Sequence, residues 1–312
     1  MKFRLVTGRF SAILIGTTLL AACATGASGI APSGVHPAWW REAPPAARVG
    51  VYVAQANGAA DGIVFEFGTQ NRKNKAPSCS IGNQKFVDTD IAADPAGNLY
   101  LANVQSGAVN VYGPNCGNLV ASFIDPYGSD GDVALHGSTI YAVGSQHVAV
   151  CTRKGCSGEL TDPSILQLET AAVDSKGNVW GSFYNQQGRI SLIVWQNGAM
   201  PGHSVSGYVN QNTPGGLIFD KHDNLVSIQT RFFHAYAYRC DAAAASCTNT
   251  GTFTLHAASL FGAFNARNTD IQVTDYANDS VDVYAYPEFT YEYSYDNGLI
   301  KTSSVQGIAQ TR

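Results

Sequence analysis

From residue 49 onward the chain repeats itself. "GNLYLANVQSGAVNVY" (from Gly97) returns as "STIYAVGSQHVAVCT" (Ser138), "GNVWGSFYNQQGRISLIVW" (Gly177), "DNLVSIQTRFFHAYAY" (Asp223) and "TDIQVTDYANDSVDVYAY" (Thr269), with "VGVYVAQANGAADGIVFEF" (Val49) ahead of them all. Each unit alternates apolar and polar residues over one stretch, turns on polar residues, and alternates again, which is the pattern of a two-stranded hairpin. The units recur at about 40 to 50 residues, a period that means a propeller or a solenoid. A short strand precedes each hairpin ("DIAAD", "DVALH", "TAAVD", "GLIFD", "GAFNA") and an outer strand follows it ("LVASFID", "TYEYSYD"). Four strands per unit and six units give an all-β, six-bladed β-propeller of four-stranded blades over residues 49–312.

The chain ends separate the propeller from the solenoid. No short strand precedes the first unit, whereas the last residues, "SSVQGIAQTR", contain "GIAQT", which aligns with "DIAAD" and "GAFNA". The C-terminal strand therefore completes the first blade and closes the ring, leaving no frayed blade edge. A solenoid has no use for such an exchange.

Residues 1–22 are read apart from the repeats. Lys2, Arg4 and Arg9 are followed by "FSAILIGTTLL", an apolar run too short for an ordinary membrane span, and then by small residues, the layout of a secretory leader. "LAAC", ending at Cys23, resembles the lipobox of bacterial lipoproteins. That resemblance implies cleavage before Cys23 and lipidation of its thiol, with several acyl chains holding the chain stably to a membrane. Ala24, where an inner-membrane retention signal would have Asp, implies the outer membrane, on its periplasmic or surface side. Residues 23–48 are rich in Ala, Gly, Ser and Pro and read as a flexible tether. The whole chain has 19 Lys and Arg against 23 Asp and Glu; the leader takes three of the positive charges, leaving 16 against 23. A mildly acidic chain without a basic cluster is a poor partner for nucleic acid, and the domain is read as a monomer.

Seven cysteines less Cys23 leave six, an even number suited to disulfides in an oxidising compartment. Cys151 with Cys156 and Cys240 with Cys247 are local pairs in loops between third and fourth strands. Cys79 and Cys116 remain, in the same type of loop on adjacent blades, and would bridge those blades if the loops lean together.

The segments "DPAGNLYLAN" and "DSKGNVWGSF", and less closely "DKHDNLVSIQ", resemble the blade motif of the NHL-repeat and gluconolactonase-like propeller superfamily. The Asp-to-Asn spacing within them (Asp94 to Asn98, Asp174 to Asn178, Asp220 to Asn224) is read as a turn, since Asp accepts backbone amides two residues on and Gly or Asn tolerates positive φ. Tyr112, Trp195, Tyr238 and Tyr284 fall in one repeated column and are read as packing.

One polar constellation remains. Where inner strands begin, around one mouth of the central channel, stand Asp88 and Asp90, Asp130 and Asp132, and Glu169, with Asn103 and Asp275 ending second strands on the same rim. Close like charges call for a proton or a cation, and an oxygen-rich ring suits calcium or another divalent ion. The family resemblance implies a divalent ion at such a mouth that polarises a lactone carbonyl. The Glu that the family would bring to the first blade is absent; Gln306 or Gly307 stands near its place. The leading expectation is a membrane-tethered, extracytoplasmic binding or scaffold module that meets a protein, cell-envelope or small-molecule ligand at this acidic rim. The alternative is a metal-dependent lactonase or hydrolase using the same rim. A third is a lyase of the streptogramin-inactivating type, a fold of usually seven blades with a catalytic His that no residue here matches.

Overall fold

The computed structural model describes residues 50–57, 61–68, 72–84, 90–104, 106–128, 130–208, 215–229, 233–301 and 304–311. The leader, Cys23, the tether and Asp88 lie outside the described residues.

Six four-stranded antiparallel sheets make the ring. The first blade holds β1 (Gly50–Asn57), β2 (Asp61–Gly68) and β3 (Cys79–Gln84). The second holds β4 (Ile91–Ala93), β5 (Leu99–Asn103), β6 (Ala108–Tyr112) and β7 (Leu119–Ile124). The third holds β8 (Asp130–His136), β9 (Thr139–Gly144), β10 (His147–Thr152) and β11 (Gly155–Thr161). The fourth holds β12 (Ile165–Val173), β13 (Val179–Asn185), β14 (Ile190–Trp195) and β15 (His203–Ser204). The fifth holds β16 (Leu217–Phe219), β17 (Asn224–Gln229), β18 (His234–Asp241) and β19 (Ser246–Thr254). The sixth holds β20 (Ser259–Phe264), β21 (Asp270–Asp275), β22 (Ser280–Ala285) and β23 (Thr290–Tyr295). The last strand, β24 (Ser304–Gln310), pairs antiparallel with β1 and becomes the inner strand of the first blade. The ring closes as the sequence leads one to expect, with six blades rather than seven.

Strand alternation puts one face of each sheet against each neighbouring blade, and the core is divided accordingly. Val51, Val53 and Phe67 pack with Val281, Val283 and Tyr295 between the first and sixth blades. Leu168, Phe183 and Trp195 meet Tyr141, Val143 and Val148 between the third and fourth, and four further clusters fill the remaining interfaces. The aromatic column is packing: Trp195, Tyr238 and Tyr284 are buried, and they and Tyr112 stand opposite Val179, Leu225, Ile271 and Leu99 in the same register.

The Asp-to-Asn segments are turns, built alike. Asp174 Oδ1 accepts the amides of Lys176 and Asn178 at 3.0 and 2.9 Å, while Oδ2 accepts Asn178 Nδ2 at 2.7 Å and Trp180 Nε1 at 3.1 Å. Asp94 and Asp220 hold Asn98 and Asn224 in the same way. Burial alone would raise the Asp220 pKa, but hydrogen bonds from Asn224, His222 and Tyr286 outweigh it and hold the carboxyl below its ordinary range. The residue before each Asn is left-handed, φ 84° at Gly97 and 83° at Gly177, and in the fifth blade Asp223 takes that conformation with φ 60°.

All three disulfides form. Cys151–Cys156 and Cys240–Cys247 staple hairpins within the third and fifth blades. Cys79–Cys116 joins β3 to the β6–β7 loop and so ties the first blade to the second.

Candidate functional site: the channel mouth and the blade rims

Inner strands line a central channel of about 430 Å³, with Asp90 and Asp132 at one end and the β12–β13 and β16–β17 turns at the other. Each of the two carboxylates joins its own blade to a neighbour, Asp90 to the first blade and Asp132 to the fourth. Asp90 Oδ1 accepts the amides of Ile91 at 2.8 Å and, across the interface, Ile308 at 3.2 Å. Asp132 Oδ1 accepts Val133 N at 2.5 Å, and its Oδ2 accepts Thr170 Oγ1 at 2.7 Å and Ala171 N at 3.0 Å from the next inner strand. The Asp90 amide reaches Gly131 O at 3.3 Å, and Gly216 N reaches Leu260 O at 2.7 Å on the far side of the ring. These polar groups seal the junctions where inner strands converge.

Burial drives both acids toward the neutral form. The Asp90 carboxyl lies well above its usual range because of burial, then the nearby Asp132 charge, against the pull of the two amides. Burial raises Asp132 as well, opposed by Thr170 and the Ala171 and Val133 amides. A carboxyl whose folded pKa is raised makes the folded chain bind more protons than the unfolded chain. Stability is therefore highest below the ordinary carboxylate range and falls as pH rises through the raised values. Asp90→Asn keeps an acceptor for both amides and removes one of the two like charges. It is expected to raise Tm at pH 8, to leave it unchanged near pH 4, and to flatten the slope between. A lower Tm at pH 8 would show that the ionised form is the one the fold stabilises.

The other residues that the sequence grouped with these two separate. The Asp130 backbone opens β8 opposite Gly144. Glu169 does not begin an inner strand: it sits within β12, at the register shift between Leu168 and Thr170. Thr170, not Glu169, takes the place equivalent to Asp90 and Asp132. Comparable shifts occur in β8 between Asp130 and Asp132, and in β20 between Ser259 and Gly262. Bulges of this kind re-aim side chains at barrel and channel rims. Asn103 and Asp275 cap their own hairpins: Asn103 Oδ1 accepts Ser106 N, and Asp275 Oδ1 accepts the amides of Ala277 and Asn278, each at 3.0 Å, with Asn278 Nδ2 on Oδ2 at 2.7 Å. Near the place where the resemblance would bring a Glu, where Gln306 or Gly307 stands, Gln306 is 2% exposed and its Nε2 donates to Ser304 Oγ.

Two groups of three His, Cys, Asp or Glu donors come within ligating distance among the described residues, and neither contains Asp90, Asp132 or Glu169. One is Glu66 with Cys79 and Cys116, whose sulfurs are joined to each other. The other is His256, Asp275 and Asp282. The described residues therefore do not fit the mouth-bound divalent ion that the family resemblance implies, since no third His, Cys, Asp or Glu donor among them joins Asp90 and Asp132 within ligating distance.

The sequence missed three polar features. His147 Nε2 lies 2.6 Å from Asp125 Oδ2, both buried, tying the loop after β7 to β10. A Cβ on Gly144 would lie 2.1 Å from that imidazole, so only glycine leaves room for it. Around the Tyr208 hydroxyl, which bonds Ser227 Oγ at 2.8 Å, Ser182 Oγ and both amide atoms of Gln229 are buried without completing a hydrogen bond. Finally, a groove of about 640 Å³ opens between the fourth and fifth blades on the rim opposite the channel mouth. Trp180 and Phe219 form its floor, 5.9 Å apart, and exposed Lys176, Arg239 and Thr248 its edges. Each of these depends on contacts between blades, which no local spacing encodes.

No family model matches the chain, and no curated protein matches it. Solved structures do. The structure of a nidogen/laminin complex contains a chain that superposes with a TM-score of 0.65 at 14% identity, over 85% of this chain and 98% of that one. A luciferin-regenerating enzyme superposes at 0.55 with 12% identity, over 69% and 77%. Regucalcin from Agrobacterium tumefaciens, a calcium-binding protein, superposes at 0.53 with 12% identity, over 67% and 74%. At such identities the likeness is one of fold: the chain is a six-bladed β-propeller of the kind these proteins share.

Proposed function

We propose that the protein is an extracytoplasmic binding module, a rigid propeller held to the cell envelope through lipidated Cys23 and the tether of residues 23–48. The leader, the lipobox and three disulfides support that location. The observation that carries the binding reading is the groove between the fourth and fifth blades, a large concave surface with an aromatic floor and charged edges, the usual form of a ligand site. The sequence drew attention to the acidic mouth as the contact face. The groove is the stronger candidate, because Asp132 through both oxygens and Asp90 through Oδ1 serve groups within the ring, whereas Lys176, Arg239 and Thr248 are exposed. Nidogen, in a complex with laminin, is a precedent for a propeller of this shape serving in protein assembly.

The rival, a metal-dependent lactonase, draws on the likeness to regucalcin and the luciferin-regenerating enzyme. A panel of lactones and esters, assayed with and without calcium and zinc, tests the two readings together with photo-crosslinking in intact cells. Binding at the groove predicts no metal-dependent turnover, and adducts from a crosslinker at Arg239 or Thr248 but not at Tyr276, which is exposed on the channel-mouth rim. Turnover that disappears in Asp90→Asn with Asp132→Asn would replace this reading with the hydrolase. Unchanged membrane fractionation of Cys23→Ser would remove the tether from it.

A further inference from the structure

Blade six carries a donor set that neither the channel mouth nor the groove uses. His256 lies in the connection from β19 to β20, Asp275 ends β21, and Asp282 is central in β22. One ligand atom from each of the three lies within 4.8 Å of the others, and His256 Nδ1 is 3.6 Å from Asp282 Oδ2, too far for a hydrogen bond. Asp275 is 1% exposed, the Asp282 side chain 0%, and the His256 side chain 58%. Two buried carboxylates thus face one another, and among the described residues no Lys or Arg pairs with either. Buried charges persist when paired or when they coordinate a metal. Burial first, and then the Asp275 charge, push the Asp282 carboxyl above its ordinary range, against the Ser294 and Tyr284 hydrogen bonds and the pull of His256.

The surroundings hold the donors in place. Ser294 Oγ donates to Asp282 Oδ1 at 2.5 Å and the Tyr284 hydroxyl to Oδ2 at 3.3 Å. That same hydroxyl accepts the His256 amide at 2.7 Å, which fixes the backbone that carries the imidazole. Asn278 Nδ2 donates to Asp275 Oδ2, and the His256 ring leans on Tyr291 at 4.9 Å. Ligands braced by outer hydrogen bonds in this way are typical of metal centres.

We propose that His256, Asp275 and Asp282 bind one divalent transition-metal ion, with zinc the best match, at the edge of the sixth blade. One imidazole nitrogen and two carboxylate oxygens form a mixed set of the kind that favours zinc and its neighbours over calcium, which takes six to eight oxygens. At Zn–ligand distances of about 2.1 Å the three donors need to close in by about 1 Å, within reach of the exposed imidazole. Three protein ligands leave a fourth position, and the exposure of His256 turns that position toward solvent. The site ties the connection between blades five and six to the third strand of blade six.

The test uses the full chain with Cys23→Ser, which removes the one thiol outside the three disulfides. Equilibrium dialysis with zinc chloride, followed by metal analysis, is expected to give one equivalent per chain that excess calcium does not displace. Tm should rise by about 5 °C at saturating zinc. Cobalt in place of zinc should give the intense visible bands of a tetrahedral site. His256→Ala, a change at an exposed side chain, and the near-isosteric Asp282→Asn should each weaken binding at least tenfold; His222→Ala, on the opposite rim, should not. Absence of zinc binding, or binding that survives His256→Ala and Asp282→Asn within tenfold, overturns the proposal. Neither result would bear on the groove.

Discussion

Deleting residues 304–312 is expected to abolish cooperative unfolding of the domain. β24 is the inner strand of blade one, and Val305, Gln306, Ile308, Ala309, Gln310 and Thr311 are all under 8% exposed. Burying Val305 and Ile308 contributes roughly 1.5–3 kcal/mol each before the cavity is counted. The deletion also removes the ladder to β1, the reciprocal pair in which Thr311 N donates to Gly50 O and Gly50 N to Thr311 Oγ1, and the Ile308 amide that serves Asp90. It opens β1 to solvent as an unpaired edge and strips the first and sixth blades of part of their shared core. The sum exceeds about 5 kcal/mol, comparable with the entire stability of an ordinary domain. Near-UV circular dichroism should collapse and a hydrophobic dye should bind. A permutant tests the cause. Because Gln310 stands opposite Val51, a short turn can join residue 311 to residue 50 on the rim where every other blade links its first two strands. Moving residues 304–311 ahead of Gly50 should therefore restore the parent melting transition. A truncated chain that melts cooperatively within about 5 °C of the parent would refute ring closure as the source of stability.

That strand exchange was legible because it depends on arithmetic: a unit short of one strand at the start and a surplus strand at the end. The turns were legible because Asp, Gly and Asn do there what their side chains and backbones favour locally. The channel mouth was legible only in part. Asp90 and Asp132 both line the channel end, while Glu169 lies one residue out of their register because a bulge adds a residue to a strand without leaving a mark in its alternation; Thr170 takes the equivalent position. Asn103 and Asp275 end second strands where expected, yet the same oxygen that coordinates an ion can cap a hairpin, and spacing does not say which. His147 and Asp125, 22 residues apart, meet because neighbouring blades pack, and His256 and Asp282, 26 apart, because the connection into blade six folds back over its third strand. Pairings of that kind follow from the ring, so they become visible after the fold is built.

Asp174→Ala is expected to cost about 3–5 kcal/mol, as the loss of a buried acceptor of several donors does. It orphans four donors at once: the amides of Lys176 and Asn178, Asn178 Nδ2 and the indole N–H of Trp180. Asp174, Asn178 and Trp180 are each under 7% exposed, so water cannot easily replace the carboxylate. Tm should fall by about 10 °C, and Trp180 fluorescence should report the loosened turn. Asp174→Asn keeps an acceptor for the two amides but can turn an NH2 toward the Asn178 and Trp180 donors, and should fall between the two. Asp241→Ala provides the contrast: its oxygen caps Ala243 and Ala244 at an exposed hairpin, where loss of a capping bond costs about 1 kcal/mol. Both residues line the same groove, so the comparison separates scaffold from contact surface. A side chain kept for binding would tolerate replacement in a melting experiment and fail in a binding one. Asp174→Ala within about 1 kcal/mol of the parent would therefore move Asp174 from the turn to the ligand.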